Sequence, residues 1–210
     1  MKIYSYLVDH DLGLAPNPFG QYCTLAVCKP NIRKSKKLNI GDWIIGTGSR
    51  ALENVSKRPY INYLIYAMKV SEVIPFESYW EDLRFQYKKP NVKGSLVTMY
   101  GDNFYHKVGD KWVQENSAHS NSNGSINDKH LKTDLDGEKV LISNNFYYFG
   151  NNAPKIPDDF LVACHTGIGQ KLVPDTIKDN FINWLVSSYR KGINGDPINW
   201  KQHSNLKMLI

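Results

Sequence analysis

Along the chain, apolar positions gather into short runs punctuated by Gly, Pro, Asn and Asp, and one longer helical pattern lies near the end. Residues 2–8, rich in aromatic and branched side chains, predict a buried strand. Residues 9–20 form a loop shaped by two prolines and two glycines. A second strand is expected over 22–28, ended by Lys29 and Pro30. Gly41-Asp42 turns the chain into a strand that begins at Trp43-Ile44-Ile45, and Gly46-Thr47-Gly48-Ser49 is a tight exit. Residues 62–73 predict one long strand, stopped by Pro75. Phe76, Tyr79, Trp80 and Leu83 then recur at helical spacing, a stripe that reads as core before it reads as a base-stacking platform. Residues 85–98 look like a polar loop. A short strand at Trp112 and Val113 follows the Gly109-Asp110 turn. The Ser/Asn/Gly-rich stretch 115–130 reads as a long mobile loop, and 139–149 as a pair of strands or one bent strand. Residues 160–165 are one more strand or a buried turn.

The clearest helix spans 174–191. There Ile177, Phe181, Leu185 and Ser188 share one face, with Asp175 near the start and Gly192 beyond the end. The tail 195–200 is a turn that packs Trp200 back. No repeat and no linker divides the chain, so residues 1–210 are expected to form a single domain. The elements together predict an α+β fold: a mixed, strongly bent sheet or partial barrel, covered by the C-terminal helix.

Composition narrows the class. With 41% hydrophobic and 22% charged residues in 210, an ordered core is expected. No apolar run approaches a membrane span, so no membrane partner is expected. The net charge of +6 favours a polyanion. Lys29, Arg33, Lys34, Lys36 and Lys37 put five positive charges in nine residues, a run suited to phosphate; a solvated edge that resists aggregation explains it equally well. Three cysteines, Cys23, Cys28 and Cys164, include no Cys-x-x-Cys, so neither a disulfide framework nor a zinc knuckle is indicated and a reducing cytoplasm is the expected home. Cys28 and Cys164 lie in apolar runs and read as small buried hydrophobes rather than nucleophiles.

Candidate chemistry concentrates in residues 100–150, where small polar residues, histidines and aromatics mix as they do in ligand pockets. Asp102, His106, His119, His130 and His165 are of types that bind metals or transfer protons. Their spacing matches no metal motif, so no metal and no cofactor is expected. Asp102, His106 and His119 are the acid/base candidates. Asn103, Ser120, Tyr105 and Tyr148 are candidates for contacting a ligand, as are Asn17, Thr47, Ser49 and Tyr63 from earlier loops and strands. A flat base could stack on the tyrosines. The Gly46-Thr47-Gly48-Ser49 turn lacks the residues of a P-loop or a dinucleotide loop.

Several of these stretches resemble one family. They are Asp11-x-Gly13-x-Ala15-Pro16-Asn17-Pro18-Phe19, Cys23-Thr24-Leu25-Ala26-x-Cys28-Lys29-Pro30, Gly41-Asp42-Trp43-Ile44-Ile45-Gly46-Thr47-Gly48-Ser49, Gly101-Asp102-Asn103-x-Tyr105-His106, His119-Ser120 and Val140-Leu141-Ile142-Ser143 with Phe146-x-Tyr148-Phe149-Gly150. In these the chain resembles the nucleotide modification associated domain 2 family of bacteria and their phages, across residues 1–200. The resemblance implies association with systems that alter DNA bases, and carries over no catalytic residues. A looser similarity, in Gly41-Asp42-Trp43 and the return strand Ile65 to Val73, is to PUA, EVE and ASCH-like barrels.

The expected function is recognition or processing of a nucleotide or a modified base in DNA, in a base-modification or phage-defence setting, with a nucleotide or nucleic acid as partner. One alternative is a hydrolase or transferase acting on a nucleotide with a histidine acid/base. Another is an accessory protein acting through a protein partner. Nothing in the sequence sets an oligomeric state or decides between binding and catalysis.

Overall fold

The computed structural model describes residues 1–200. The chain gathers into two compact units, each assembled from separated segments. The first comprises Met1–Leu12, Leu38–Val70 and the chain from Asn144 onward; the second comprises Gly13–Lys37 and Ser71–Ser143.

The first unit is built on a six-stranded mixed sheet. Its strands run in the order Gln170–Leu172, Ile3–Val8, Trp43–Gly48, Leu64–Lys69, Asn145–Tyr148 and Gly192–Ile193. Ile3–Val8 pairs parallel with Trp43–Gly48 and antiparallel with Gln170–Leu172. The sheet is open and ends in edges of two and three residues, too short to template another chain. Its central strands are buried along almost their whole length, the reading expected for strands covered on both faces. The predicted C-terminal helix is present as Asp175–Ser188. It lays Phe181 and Leu185 onto Ile3, Trp43, Ile45, Leu64 and Tyr147. The tail packs back as expected. Trp200 donates through Nε1 to Leu12 O at 2.9 Å, and the Asp11 carboxylate accepts from Tyr148 Oη at 2.5 Å and Ile198 N at 3.0 Å. No helix among the described residues is long and apolar enough to cross a membrane.

The second unit holds a three-stranded antiparallel sheet, Cys23–Leu25, Lys139–Ser143 and Glu72–Pro75, and a hairpin, Tyr105–Val108 with Lys111–Gln114, turned at Gly109. Its helices include Phe76–Glu81 and Asp128–Leu135. The fold is therefore α+β with a mixed, open sheet and a covering C-terminal helix.

Several local expectations change. The run 62–73 is two strands. Val70 closes the first by bonding Gly41 and Asp42, and Ser71 opens the second by bonding Ile142. The strand expected over 22–28 stops at Leu25. Residues 85–98 contain a 3₁₀ turn, Leu83–Lys88, and a short helix, Leu96–Met99. The polar stretch 115–130 ends in a helix that Asn127 caps by accepting from His130 N at 3.1 Å. Residues 160–165 fall in a 3₁₀ turn, Asp158–Ala163, and its end.

Candidate active site

Within the second unit the buried run from Cys23 to Val27 is followed by Cys28 and Lys29, both in the left-handed region at φ 57° and 42°. Such a pair is unfavourable for side-chain-bearing residues and persists only when held by its surroundings. Both backbone groups of Cys28 are held. Its N–H donates to Asp134 Oδ1 at 2.7 Å, and its carbonyl accepts from Arg33 Nε at 2.8 Å. Pro30, whose fixed φ suits a first helical position, then opens the four-residue helix that delivers Arg33. The Arg33 side chain is fully buried. Its remaining nitrogens donate to Lys139 O at 2.9 Å and Asp134 O at 2.5 Å. Burial lowers this guanidinium to about 10 and Asp134 opposes the fall, so it stays charged near neutral pH.

Asp134 lies on the buried face of the Asp128–Leu135 helix and is the hub of the site. Besides the Cys28 amide, its carboxylate accepts from His119 Nδ1 at 2.6 Å and Tyr105 Oη at 2.8 Å. Gln114 ties the arrangement together. Its Nε2 donates to Tyr105 Oη and His119 O, and its Oε1 accepts from Asn127 N, the residue that caps the helix. On its other side His119 presents Nε2 to Cys28 Sγ at 3.8 Å. Cys28 as a residue is half-buried, while His119 and Asp134 are buried. Burial pulls the His119 imidazole down, but the hydrogen bond to Asp134 and the contact with Cys28 outweigh it and raise it to about 10. Burial pushes Asp134 up, and the His119 hydrogen bond and charge reverse that, so it ends below its ordinary value. The pair is an imidazolium–carboxylate pair. His130 packs its ring 4.3 Å from that of His119, and burial, with the His119 charge, keeps it below the ordinary histidine value. His119, His130 and Asp134 each offer a donor atom within 4.8 Å of one another, a set that a divalent cation could use if it displaced the proton shared by His119 and Asp134.

The other residues singled out in the sequence are dispersed. Asp102, Asn103 and Asn17 enter a second buried network. Asp102 accepts from Thr24 Oγ1 at 2.6 Å and Tyr79 Oη at 2.7 Å, and Lys88 donates to Asn17 Oδ1 at 2.7 Å. Asn103 Nδ2 donates to Tyr79 O and Phe85 O, and Asn17 Nδ2 to Tyr100 O. Burial raises Asp102 and lowers Lys88 to about 8, each opposed by the other's charge. His106 bonds Glu115 at 2.8 Å and stacks on Trp80, away from the His119 array that its neighbour Tyr105 joins. Ser120 closes a turn with Ser117. Lys34 pairs with Asp136 at 2.6 Å, Lys29 is half-buried, and Lys36 and Lys37 are exposed, so Arg33 alone of the basic run turns inward. Thr47, Ser49, Tyr63 and Tyr148 belong to the first unit. There Thr47 bonds Tyr6 O, Ser49 caps the Arg50–Ser56 helix, Tyr63 packs edge-on to Tyr60 and Tyr148 holds Asp11. His165, also there, bonds Ile168 O in an exposed turn.

A family model for the nucleotide modification associated domain 2 matches residues 1–204. The chain belongs to that family. No curated protein and no solved structure matches it. In this nucleotide modification associated domain, a thiol, an imidazole and a carboxylate, those of Cys28, His119 and Asp134, stand in one hydrogen-bonded line. Asp134 had no signal in its own neighbourhood beyond Leu131 and Leu135 at helical spacing, and Cys28 was hidden by the apolar run before it. The cue available was Asn127 followed three positions later by His130, the start of a capped helix.

Proposed function

We propose that this domain processes a nucleotide, or a base carried in nucleic acid, by thiol-dependent covalent catalysis at Cys28. The observation that carries the reading is the line from Cys28 Sγ through His119 to Asp134, at 3.8 and 2.6 Å. Cys28 is the nucleophile, and the His119 imidazolium is its counter-ion and general acid. Asp134 fixes the ring so that Nε2 faces the sulfur, as the carboxylate of a triad does. The thiolate attacks an electrophilic carbon of the substrate. As the S–C bond forms, the bond to the leaving group breaks and the Nε2 proton passes to that group. Water then attacks the same carbon, sulfur leaves as thiolate, and a proton from the water returns to Nε2. The substrate class follows the family's association with nucleotide modification, and a reducing compartment keeps the thiol free.

The test is turnover on a panel of nucleotides and of DNA carrying modified cytosines, with intact-mass detection of a covalent adduct. Wild type is expected to give product and an adduct on Cys28, and Cys28→Ser and His119→Ala to give neither. Turnover by Cys28→Ser at the wild-type rate overturns the reading.

A further inference from the structure

The aromatic stripe Phe76, Tyr79, Trp80 and Leu83 divides by burial. Phe76 and Tyr79 are buried, Leu83 is exposed, and Trp80 is half-buried at the wall of a cleft of about 360 Å³. Lys89, Asn91, Lys93, Glu115 and Asn116 also line the cleft. The indole is held from one side. His106 stacks on it with ring centroids 4.0 Å apart and planes 14° apart, and Glu115 fixes His106 through Nε2 at 2.8 Å. The Lys89 ammonium sits 3.5 Å from the Trp80 ring centroid. Two groups this close to one centroid take opposite faces. Trp80 thus has one face backed by a fixed ring and the other covered by the Lys89 ammonium.

We propose that this cleft binds one nucleotide unit, its base stacked on the Lys89 side of Trp80 and its phosphate held by Lys89 and Lys93. A base is flat and about as thick as the gap that the ammonium fills, so it replaces one π contact with another of larger area. The displaced ammonium stays on its stem next to the phosphate, where it is worth more than over the ring, because the phosphate carries a full charge. Asn91 and Asn116 bring side-chain amides, which can donate to and accept from a base edge. Glu115, the acid in the cleft, is fixed on His106 at 2.8 Å and balances part of the charge of Lys89 and Lys93. The site uses none of Cys28, His119 and Asp134, and it stands whether or not the thiol reaction does. The Tyr105–Val108 strand connects the two places: Tyr105 points into the thiol array and His106 to the back of Trp80.

The experiment is fluorescence anisotropy with a labelled single-stranded ten-mer, and competition by free mononucleotides, for wild type, Trp80→Ala, Trp80→Phe, Lys93→Ala and Cys28→Ser. Trp80→Ala is expected to weaken binding by ~5- to 150-fold, while Trp80→Phe stays within about fivefold. Lys93→Ala is expected to lessen the salt dependence of log Kd by about one phosphate contact. Cys28→Ser is expected to bind as wild type, which separates this site from the proposed reaction. Competition by mononucleotides at low concentration assigns the cleft to a free nucleotide, and its failure assigns it to a strand. Should Trp80→Ala misfold, loss of affinity in Lys93→Ala with the thermal midpoint intact carries the same conclusion. Wild-type chain that binds neither ligand, or Trp80→Ala and Lys93→Ala variants that bind as wild type while folded, overturns the proposal.

Discussion

Asp134→Asn is the perturbation that most directly tests how the site is held. The amide keeps an acceptor for the Cys28 N–H and replaces the oxygen facing His119 and Tyr105 with an NH₂ group. Tyr105 can reverse its hydroxyl and accept from that group. His119 Nδ1 cannot remain a donor, and the ring loses its anion. One charge-assisted hydrogen bond contributes about 1.5–3 kcal/mol. In a chain of this length each kcal/mol moves the thermal midpoint by about 2–4 °C, so the variant should melt ~3–12 °C lower at pH 7. The pH dependence has a definite sign. His119 is raised from its ordinary 6.5 to about 10, so its contribution is fully present below pH 6.5 and is lost as pH rises through 10. Asp134 is lowered, so its contribution is present above its ordinary 3.8 and is lost as pH falls through the folded value. The gap in midpoint between wild type and variant is therefore widest between pH 3.8 and 6.5, shrinks as pH rises beyond 6.5 and closes above pH 10. Alkylation of Cys28 by iodoacetamide at pH 7, located by peptide mass, should slow by at least tenfold, since His119 is no longer held as an imidazolium facing the sulfur. A midpoint gap equal at pH 7 and above pH 10, together with unchanged alkylation, refutes the reasoning.

Two more substitutions probe the supports. A Cβ on Gly137 would lie 2.2 Å from the guanidinium carbon of the buried Arg33, so Gly137→Ala should displace that side chain from its three carbonyl acceptors, cost about 2–5 kcal/mol and lower the urea midpoint; an unchanged midpoint counts against it. Lys88→Met leaves Asp102 without its buried counter-charge and should cost about 3–5 kcal/mol. Because burial lowers Lys88 to about 8, the unfolded chain holds that proton over roughly pH 8–10.5 and the folded chain does not. Wild-type stability gains a rising component across this window, and its persistence in the variant would exclude Lys88 as the source.

What could be read from the sequence was what a local pattern encodes. The helix Asp175–Ser188 declared itself through one apolar face, the strand at Trp112 and Val113 through the Gly109-Asp110 turn before it, though not its hairpin partner Tyr105–Val108, and the strand at Trp43 through its run of bulky residues. Motifs spread over residues 1–200 pointed to the family whose model matches 1–204. The array was illegible because its parts depend on partners far along the chain. Arg33 looks like one more charge in a basic run, and two of the three carbonyls that turn it inward, those of Asp134 and Lys139, lie about a hundred positions away. Asp134 sits on a helix whose other faces are polar. Cys28 continues an apolar run by composition but leaves it by geometry, at a positive φ that no residue type there announces.

The same limit explains why the stretch Asp102 to His106, dense with candidate chemistry, serves three places. Asp102 is drawn into the Lys88 network, Tyr105 into the thiol array and His106 onto Trp80; within the strand, successive side chains leave on opposite faces, so neighbours in sequence are separated by the sheet itself. Around Cys28 the buried charges then add up in an informative way. Arg33 and His119 are cationic, Asp134 is anionic, and Tyr105 is held far above its ordinary value by burial and by Asp134, hence neutral. That leaves one positive charge in a place where unbalanced charge is costly. The Arg33 guanidinium holds that surplus against three carbonyl oxygens, those of Cys28, Lys139 and Asp134, whose dipoles stabilise it.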